Sequence, residues 1–294
     1  MVHHNIEENT ARKPYWLKRR LPTAAAYEGV RKLIYQKNLH TVCQEARCPN
    51  IWECFSRRTA TFLILGSNCT RNCRFCAVSN GPPAAEDPAE PEAVAMAVKE
   101  MQLDYVVVTS VTRDDLSDGG AGYFAATIDA IRKRMPDTKI EVLIPDFKGS
   151  PDALQTVIDA SPDVLNHNLE TVPRLYPRVR PQAVYRRSME LLQRARKWRK
   201  GLQIKSGLML GLGESRTEIH RTLQDLLSAG CDMLTLGQYL QPTANHLPVS
   251  RFIPPEEFDD WKQSALKMGF KQVASGPFVR SSYHAREFFQ GTET

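Results

Sequence analysis

Cys69-Thr70-Arg71-Asn72-Cys73-Arg74-Phe75-Cys76 sets three thiols within eight residues, at the spacing C-x3-C-x2-C. A cubane iron–sulfur cluster has four irons and ordinarily takes four thiolates. Three thiolates leave one iron open to a small molecule, which a cluster that does chemistry requires. Thr70, Arg71, Asn72 and Arg74 suit a loop around an anionic cluster, and Phe75 offers a flat apolar face to a ligand. A zinc loop is the plainer alternative, but zinc sites pair C-x2-C with a second such unit or with nearby histidines. Neither accompanies this octet.

A second triplet precedes it: Cys43, Cys48 and Cys54, spaced C-x4-C-x5-C. Again there are three thiols and no fourth ligand nearby. A structural zinc or an electron-transfer cluster completed from elsewhere is the ordinary reading. A single site would leave two thiols over, so the pair of triplets argues for two clusters. Seven cysteines, clustered three, three and one, speak for metal binding in a reducing compartment and against a disulfide framework. Cys231 has no partner cysteine near it and reads as structural, as do His40 and His220.

Composition sets the class. The chain has 294 residues, 42% hydrophobic and 24% charged, ordinary for one large globular domain with extensions. Its net charge of +6 is mild; it gives no ground for nucleic-acid binding and is compatible with an acidic partner. No apolar run reaches the ~18 residues of a membrane span. Met1-Val2-His3-His4-Asn5-Ile6-Glu7-Glu8 lacks a signal-peptide core, so a cytoplasmic location is expected.

The elements that must position the cysteines follow from periodicity. Apolar, β-branched runs occur at 59–66, 105–111, 139–145, 163–169, 203–211 and 233–239. Amphipathic helical patterns lie between them, at 90–101, 123–135, 152–160, 185–198 and 217–229. Strands alternating with helices imply a parallel sheet covered on both faces. Either an open doubly wound sheet or a partial barrel satisfies that pattern; a barrel puts its chemistry at the C-terminal strand ends, where the octet falls. A further helix is expected from Thr23 to Asn38, capped by Thr23, and a last one over Pro255 to Met268. Lys13 to Arg20 reads as an arm with its aromatics packed and its charges in water. The expected divisions are an N-terminal extension (1–58), the barrel (59–250) and a closing segment (251–294).

Other strand ends are distinctive. Asn166, Asn168 and Glu170 alternate on one face of the fourth strand, three polar groups pointing into an interior that should be apolar. Buried polar groups need partners, and a zwitterionic cofactor would supply them. Thr109 to Ala121, with Ser110 near its start, follows the second strand, and its Gly119-Gly120 either approaches a ligand or makes a turn; the turn is the simpler reading. Lys205 to Glu214 is not a dinucleotide fingerprint, since Arg216 stands where the last glycine would be. Gly237 to Pro242 and His246 to Val249 fall on the same rim. Arg280-Ser281-Ser282-Tyr283 lies near the end of the chain and would pass for a capped turn.

The octet resembles the C-x3-C-x-aromatic-C signature of radical S-adenosylmethionine (SAM) enzymes. Gly207 to Glu214 resembles their adenine-contacting strand, with Met209 in place of Ile. Both triplets, Arg113-Asp114-Asp115-Leu116, Asn166 to Thr171 and the terminal Arg-Ser-Ser-Tyr together resemble the lipoyl synthase family, over about residues 13–285. That resemblance implies a partial (β/α)6 TIM-like barrel of the α/β class. It implies two [4Fe-4S] clusters and SAM as cofactors. Cys69, Cys73 and Cys76 would hold the cluster whose open iron chelates SAM; reductive cleavage then yields a 5′-deoxyadenosyl radical. Phe75, Ser110, Asn168, Glu170, Arg180, Met209 and Gly211 would hold the cofactor. Cys43, Cys48 and Cys54 would hold an auxiliary cluster consumed as sulfur donor, with a serine of the terminal motif, Ser281 in preference to Ser282, as its fourth ligand. The substrate would be an octanoyl-lysine on a lipoyl-carrier domain, of a 2-oxoacid dehydrogenase E2 subunit or the glycine cleavage H protein. Flavodoxin or ferredoxin would supply electrons to a monomeric enzyme. A biotin-synthase-like enzyme and a non-catalytic iron–sulfur or zinc protein are the competing readings.

Overall fold

The apolar runs fold as buried strands, and the computed structural model describes residues 13–18, 25–57 and 59–290. Helix α1 (Ala25–Gln36) is followed by strand β1 (His40–Thr41) and the short helices α2 (Val42–Glu45) and α3 (Ile51–Ser56). Strand β2 (Thr61–Ile64) leads into a loop that carries the minor strands β3 (Asn68–Cys69) and β4 (Ser79–Asn80). Alternation then sets in: α4 (Glu90–Met101), β5 (Tyr105–Ser110), α5 (Ala121–Arg134), β6 (Lys139–Leu143), α6 (Pro151–Asp159) and β7 (Val164–Asn166). It continues with α7 (Tyr176–Val179), α8 (Tyr185–Trp198), β8 (Gln203–Leu210), α9 (Arg216–Ser228), β9 (Met233–Gln238), α10 (Pro255–Met268), β10 (Gln272–Gly276) and α11 (Ala285–Gln290).

Start signals set the helix boundaries. Ser215 and Glu218 form a reciprocal capping box at α9. Ser150 caps α6, with Pro151 at its first position, and α10 starts on Pro255 and stops at Gly269 in the left-handed conformation.

The main sheet runs β1-β2-β5-β6-β7-β8-β9-β10. Pairing is parallel from β2 through β10; only β1 is antiparallel, against β2. The two ends are not hydrogen-bonded to each other, so the barrel is partial and open along one side. Strands β2, β7 and β9 are buried at every position, as a sheet covered on both faces requires. One hydrophobic cluster reaches from Tyr27 to Val273, so the extension and the closing segment pack into the same core as the barrel. A smaller cluster (Tyr105, Val107, Val164, Met233, Ala285, Phe289) closes the end where β5, β7 and β9 begin, and α11 is its plug.

Three expectations change. Strand β10 was not foreseen; it adds a seventh parallel strand to the six. The fourth strand ends at Asn166, and Glu170, at φ +67°, keeps only an isolated bridge to Leu208. Asn168 and Glu170 therefore sit on the rim, while Asn166 stays below and donates to the buried Glu141, which also pairs with Lys205 and accepts from Tyr105. In the arm Leu17 is buried but Tyr15 is 78% exposed, so its aromatics are not both packed. Thr23, Arg19, Arg20 and Met1 to Glu8 lie outside the described residues.

Candidate functional site

Both cysteine triplets face one cavity of about 490 Å³ at the C-terminal ends of the strands. Its lining includes Cys43, Cys48 and Cys54 on one wall and Cys69, Cys73 and Cys76 on another, with Ser281 and Ser282 also present. None of the seven cysteines is in a disulfide. Among the described residues, no three His, Cys, Asp or Glu side chains converge on a single-ion site.

The octet is locked at its back. Arg71 is 5% exposed and gives a bidentate pair to Asp114 (2.7 and 2.9 Å) and a further bond to Asp146 (2.6 Å). Arg187 reaches the other Asp146 oxygen at 3.2 Å. Burial alone would raise Asp146; the Arg71 hydrogen bond and charge override it and hold the carboxyl at about 2. Backbone bonds from Thr70 to Thr112 and from Arg74 to Val179 tie the loop to two neighbouring rims, and His246 meets the Cys76 carbonyl at 2.9 Å. Amide N–H groups of Arg71 (3.4 Å) and Thr112 (3.3 Å) point at the Cys69 sulfur.

Burial pushes the Cys43 and Cys76 thiols up to about 12 and raises Cys73 as well. The bare thiols of Cys43, Cys73 and Cys76 stay protonated, so loading metal on them must displace protons.

The third wall is polar. Asn168 Nδ2 donates to Glu170 Oε1 at 3.0 Å and to Ser281 Oγ at 2.5 Å. Arg180 donates to the carbonyls of Asn168 (2.9 Å) and Leu169 (3.0 Å). Burial raises Glu170, against the pull of Arg180, of the Asn168 hydrogen bond and of Arg280. On this wall Ser110 Oγ, Asn168 Oδ1 and Arg180 Nε are buried with no hydrogen-bond partner among the described residues. Each costs about 1–3 kcal/mol if left unmet, and a zwitterionic ligand answers that demand. Thr109, Gly207, Met209 and Gly237 complete the lining.

Of the residues expected to hold the cofactor, Phe75, Ser110, Asn168, Glu170, Arg180 and Met209 line the cavity. Gly211 does not. It turns at φ +99° behind the rim, where a Cβ would collide with the Arg251 carbonyl and the Gln238 amide. Gly119 and Gly120 are also outside; Gly120 is the N-cap of α5, the turn reading.

The two terminal serines part company. Ser281 meets Asn168, on the cofactor side. Ser282 Oγ accepts from Thr61 Oγ1 at 2.8 Å, and Thr61 lines the cavity together with Cys43. Both serines line the cavity with the auxiliary cysteines, and they differ in the side chain each one meets. Glu53, one residue before Cys54, accepts from Tyr283 (3.0 Å) and meets His284 Nε2 at 3.0 Å. Asn50 donates to the Phe278 carbonyl at 2.7 Å. Sequence reasoning missed Thr61, Glu53 and Asn50, since their partners lie more than 200 residues away.

Comparison with known proteins agrees with this geometry. The model of the Radical SAM superfamily matches residues 63–226, and that of the N-terminal domain of lipoyl synthase matches residues 2–48. A lipoyl synthase from Desulfotalea psychrophila is 57% identical over 99% of this chain and 97% of its own length. One from Rubrobacter xylanophilus is 58% identical over 94% of this chain and 86% of its own. Among solved structures, Streptococcus suis SuiB bound to its precursor peptide superposes with a TM-score of 0.57 at 12% identity, covering 73% of this chain and 48% of that one. The [FeFe]-hydrogenase maturase HydG gives 0.54 at 13% identity, covering 91% and 75%. At such identities the likeness is one of fold.

Proposed function

Since the chain belongs to the lipoyl synthase family of radical SAM enzymes, we propose that this cavity inserts two sulfur atoms, at C6 and C8, into an octanoyl chain amide-linked to a lysine, giving lipoyl-lysine. The observation that carries the reading is that two cysteine triplets, far apart in spacing pattern, open onto one space. The cofactors are two [4Fe-4S] clusters and SAM: when bound, one cluster supplies the electron that cleaves SAM to a carbon radical, and the other supplies sulfide.

The chain's own part is to bind, orient and exclude water. Cys69, Cys73 and Cys76 hold the cluster that meets SAM, and the Arg71–Asp146–Asp114 network keeps their loop rigid. Glu170, Asn168, Arg180 and Ser110 take the charged and polar ends of SAM; Phe75 and Met209 flank its apolar parts. Cys43, Cys48 and Cys54 hold the auxiliary cluster. We favour Ser282 over Ser281 as its oxygen ligand, because Ser281 is engaged by Asn168 while Ser282 meets Thr61, at the start of the strand that follows the auxiliary cysteines. An oxygen ligand is a weaker partner for such iron than a thiolate, which suits a cluster meant to come apart. Gly211 is left with a structural role. In this reading residues 1–58 bring the auxiliary site, 59–250 the radical site and 251–294 the closing strap.

The carrier is an octanoylated domain of a 2-oxoacid dehydrogenase E2 subunit or of the glycine cleavage H protein, and flavodoxin or ferredoxin is the reductant; family membership supports both. A cytoplasmic monomer fits this role, and no helix among the described residues is long and apolar enough to cross a membrane. Anaerobic incubation with SAM, dithionite and an octanoyl-lysine peptide, read by mass spectrometry, tests the function. Lipoyl peptide and 5′-deoxyadenosine are the expected products. 5′-Deoxyadenosine with an unaltered peptide would point to another radical SAM substrate.

A further inference from the structure

We propose that Ser281 is a positioning residue of the SAM pocket: its hydroxyl fixes the amide of Asn168, so that the closing strap helps build the cofactor wall. The inference rests on the reading of the cavity as a SAM site. Contacts on both sides of the two serines set the register of the strap. Asn50 holds the Phe278 carbonyl. The Val279 carbonyl lies so close to Gly237 that any Cβ there would collide with it. Beyond the serines, Tyr283 and His284 both latch onto Glu53. With the backbone held on either side, the two serine side chains have different neighbours, Asn168 for Ser281 and Thr61 for Ser282.

An amide nitrogen has two hydrogens to give. Asn168 spends one on Glu170 and one on Ser281. Its orientation is then dictated by charge, because the reverse orientation would set the amide oxygen against the Glu170 carboxylate. The Oδ1 atom is left buried and without a partner among the described residues, about 3.0 Å from where a Cβ on Gly207 would stand. A glycine at 207 keeps that space open. An unmet acceptor beside a carboxylate matches a ligand's N–H donor, and the amino group at the amino-acid end of SAM is one. Without the Ser281 hydroxyl, one N–H loses its acceptor and the amide can turn away from that pose.

Anaerobic equilibrium dialysis of SAM against the cluster-loaded protein tests this. Ser281→Ala should raise the SAM dissociation constant roughly tenfold, the worth of one such hydrogen bond, with iron and sulfide contents unchanged. Ser281→Thr, which keeps a hydroxyl, should restore most of the affinity. Asn168→Ala should also weaken SAM, and the double variant should be no weaker than Asn168→Ala alone. Wild-type affinity in a folded Ser281→Ala protein, additive losses in the double variant, or loss of iron from the Ser281→Ala protein would each overturn the proposal. A wild-type protein that binds no SAM would overturn the cofactor reading itself, and this proposal with it.

Discussion

His167 is satisfied at both ring nitrogens: Nδ1 donates to the Ile144 carbonyl at 2.8 Å, and Nε2 accepts from Ser188 Oγ at 2.8 Å. No room is left for a second proton, and burial together with Arg180 pulls its pKa down to about 4. Its unfolded value is near 6.5, so above that pH the ring is neutral in both states and costs nothing. As pH falls through 6.5 toward 4, the unfolded chain takes up the proton and the folded one does not, and stability drops. The loss approaches about 3 kcal/mol. We predict that the melting temperature falls between pH 7.5 and 5, and that His167→Gln, less stable at pH 7.5, has a flatter profile; parallel profiles would refute this. Glu170 yields a second prediction. Glu170→Gln should weaken SAM roughly 10- to 100-fold with both clusters loaded, and equal affinity by dialysis would remove Glu170 from the site. At this scale the cysteines were legible because each triplet is local. Ser282 was not separable from Ser281, because adjacent serines differ only in what the fold brings to each.

Elements matter here through the strap after β10. Residues 272–276 were not read as a strand: Gln-Val-Ala-Ser-Gly has one β-branched residue, and its pairing with β9 depends on neighbours that only the sheet provides. The other parallel strands announced themselves because they are buried on both faces and so are nearly continuous in apolar residues. The path of residues 277–284 from Gly237 on β9 to Thr61 on β2 had no local signal. At Gly237 strap and sheet touch backbone to backbone, with no room for a Cβ. Gly237→Ala sets a methyl against backbone, which cannot move aside as a side chain would, and should cost about 1–3 kcal/mol. Thermal melting checks the size. Limited proteolysis should show the segment after Gly276 cut first in the variant; a variant as stable and as resistant as the parent would mean the strap is not held at that point.

The whole molecule reads as one device because three segments share one core and one cavity. The N-terminal extension supplies Cys43, Cys48 and Cys54; the barrel supplies Cys69, Cys73 and Cys76 with the Asn168–Glu170 wall; the closing strap touches both. The proposed function gives the two triplets separable work inside a common space. The decisive measurement is anaerobic turnover of two triple variants with SAM, dithionite and octanoyl-lysine peptide, scoring 5′-deoxyadenosine and sulfur-bearing peptide together. Replacing Cys69, Cys73 and Cys76 by Ala should abolish both products. Replacing Cys43, Cys48 and Cys54 by Ala should preserve 5′-deoxyadenosine and abolish sulfur insertion. Lipoyl peptide formed by the second variant would contradict the account, because sulfur would then reach the substrate without the auxiliary site.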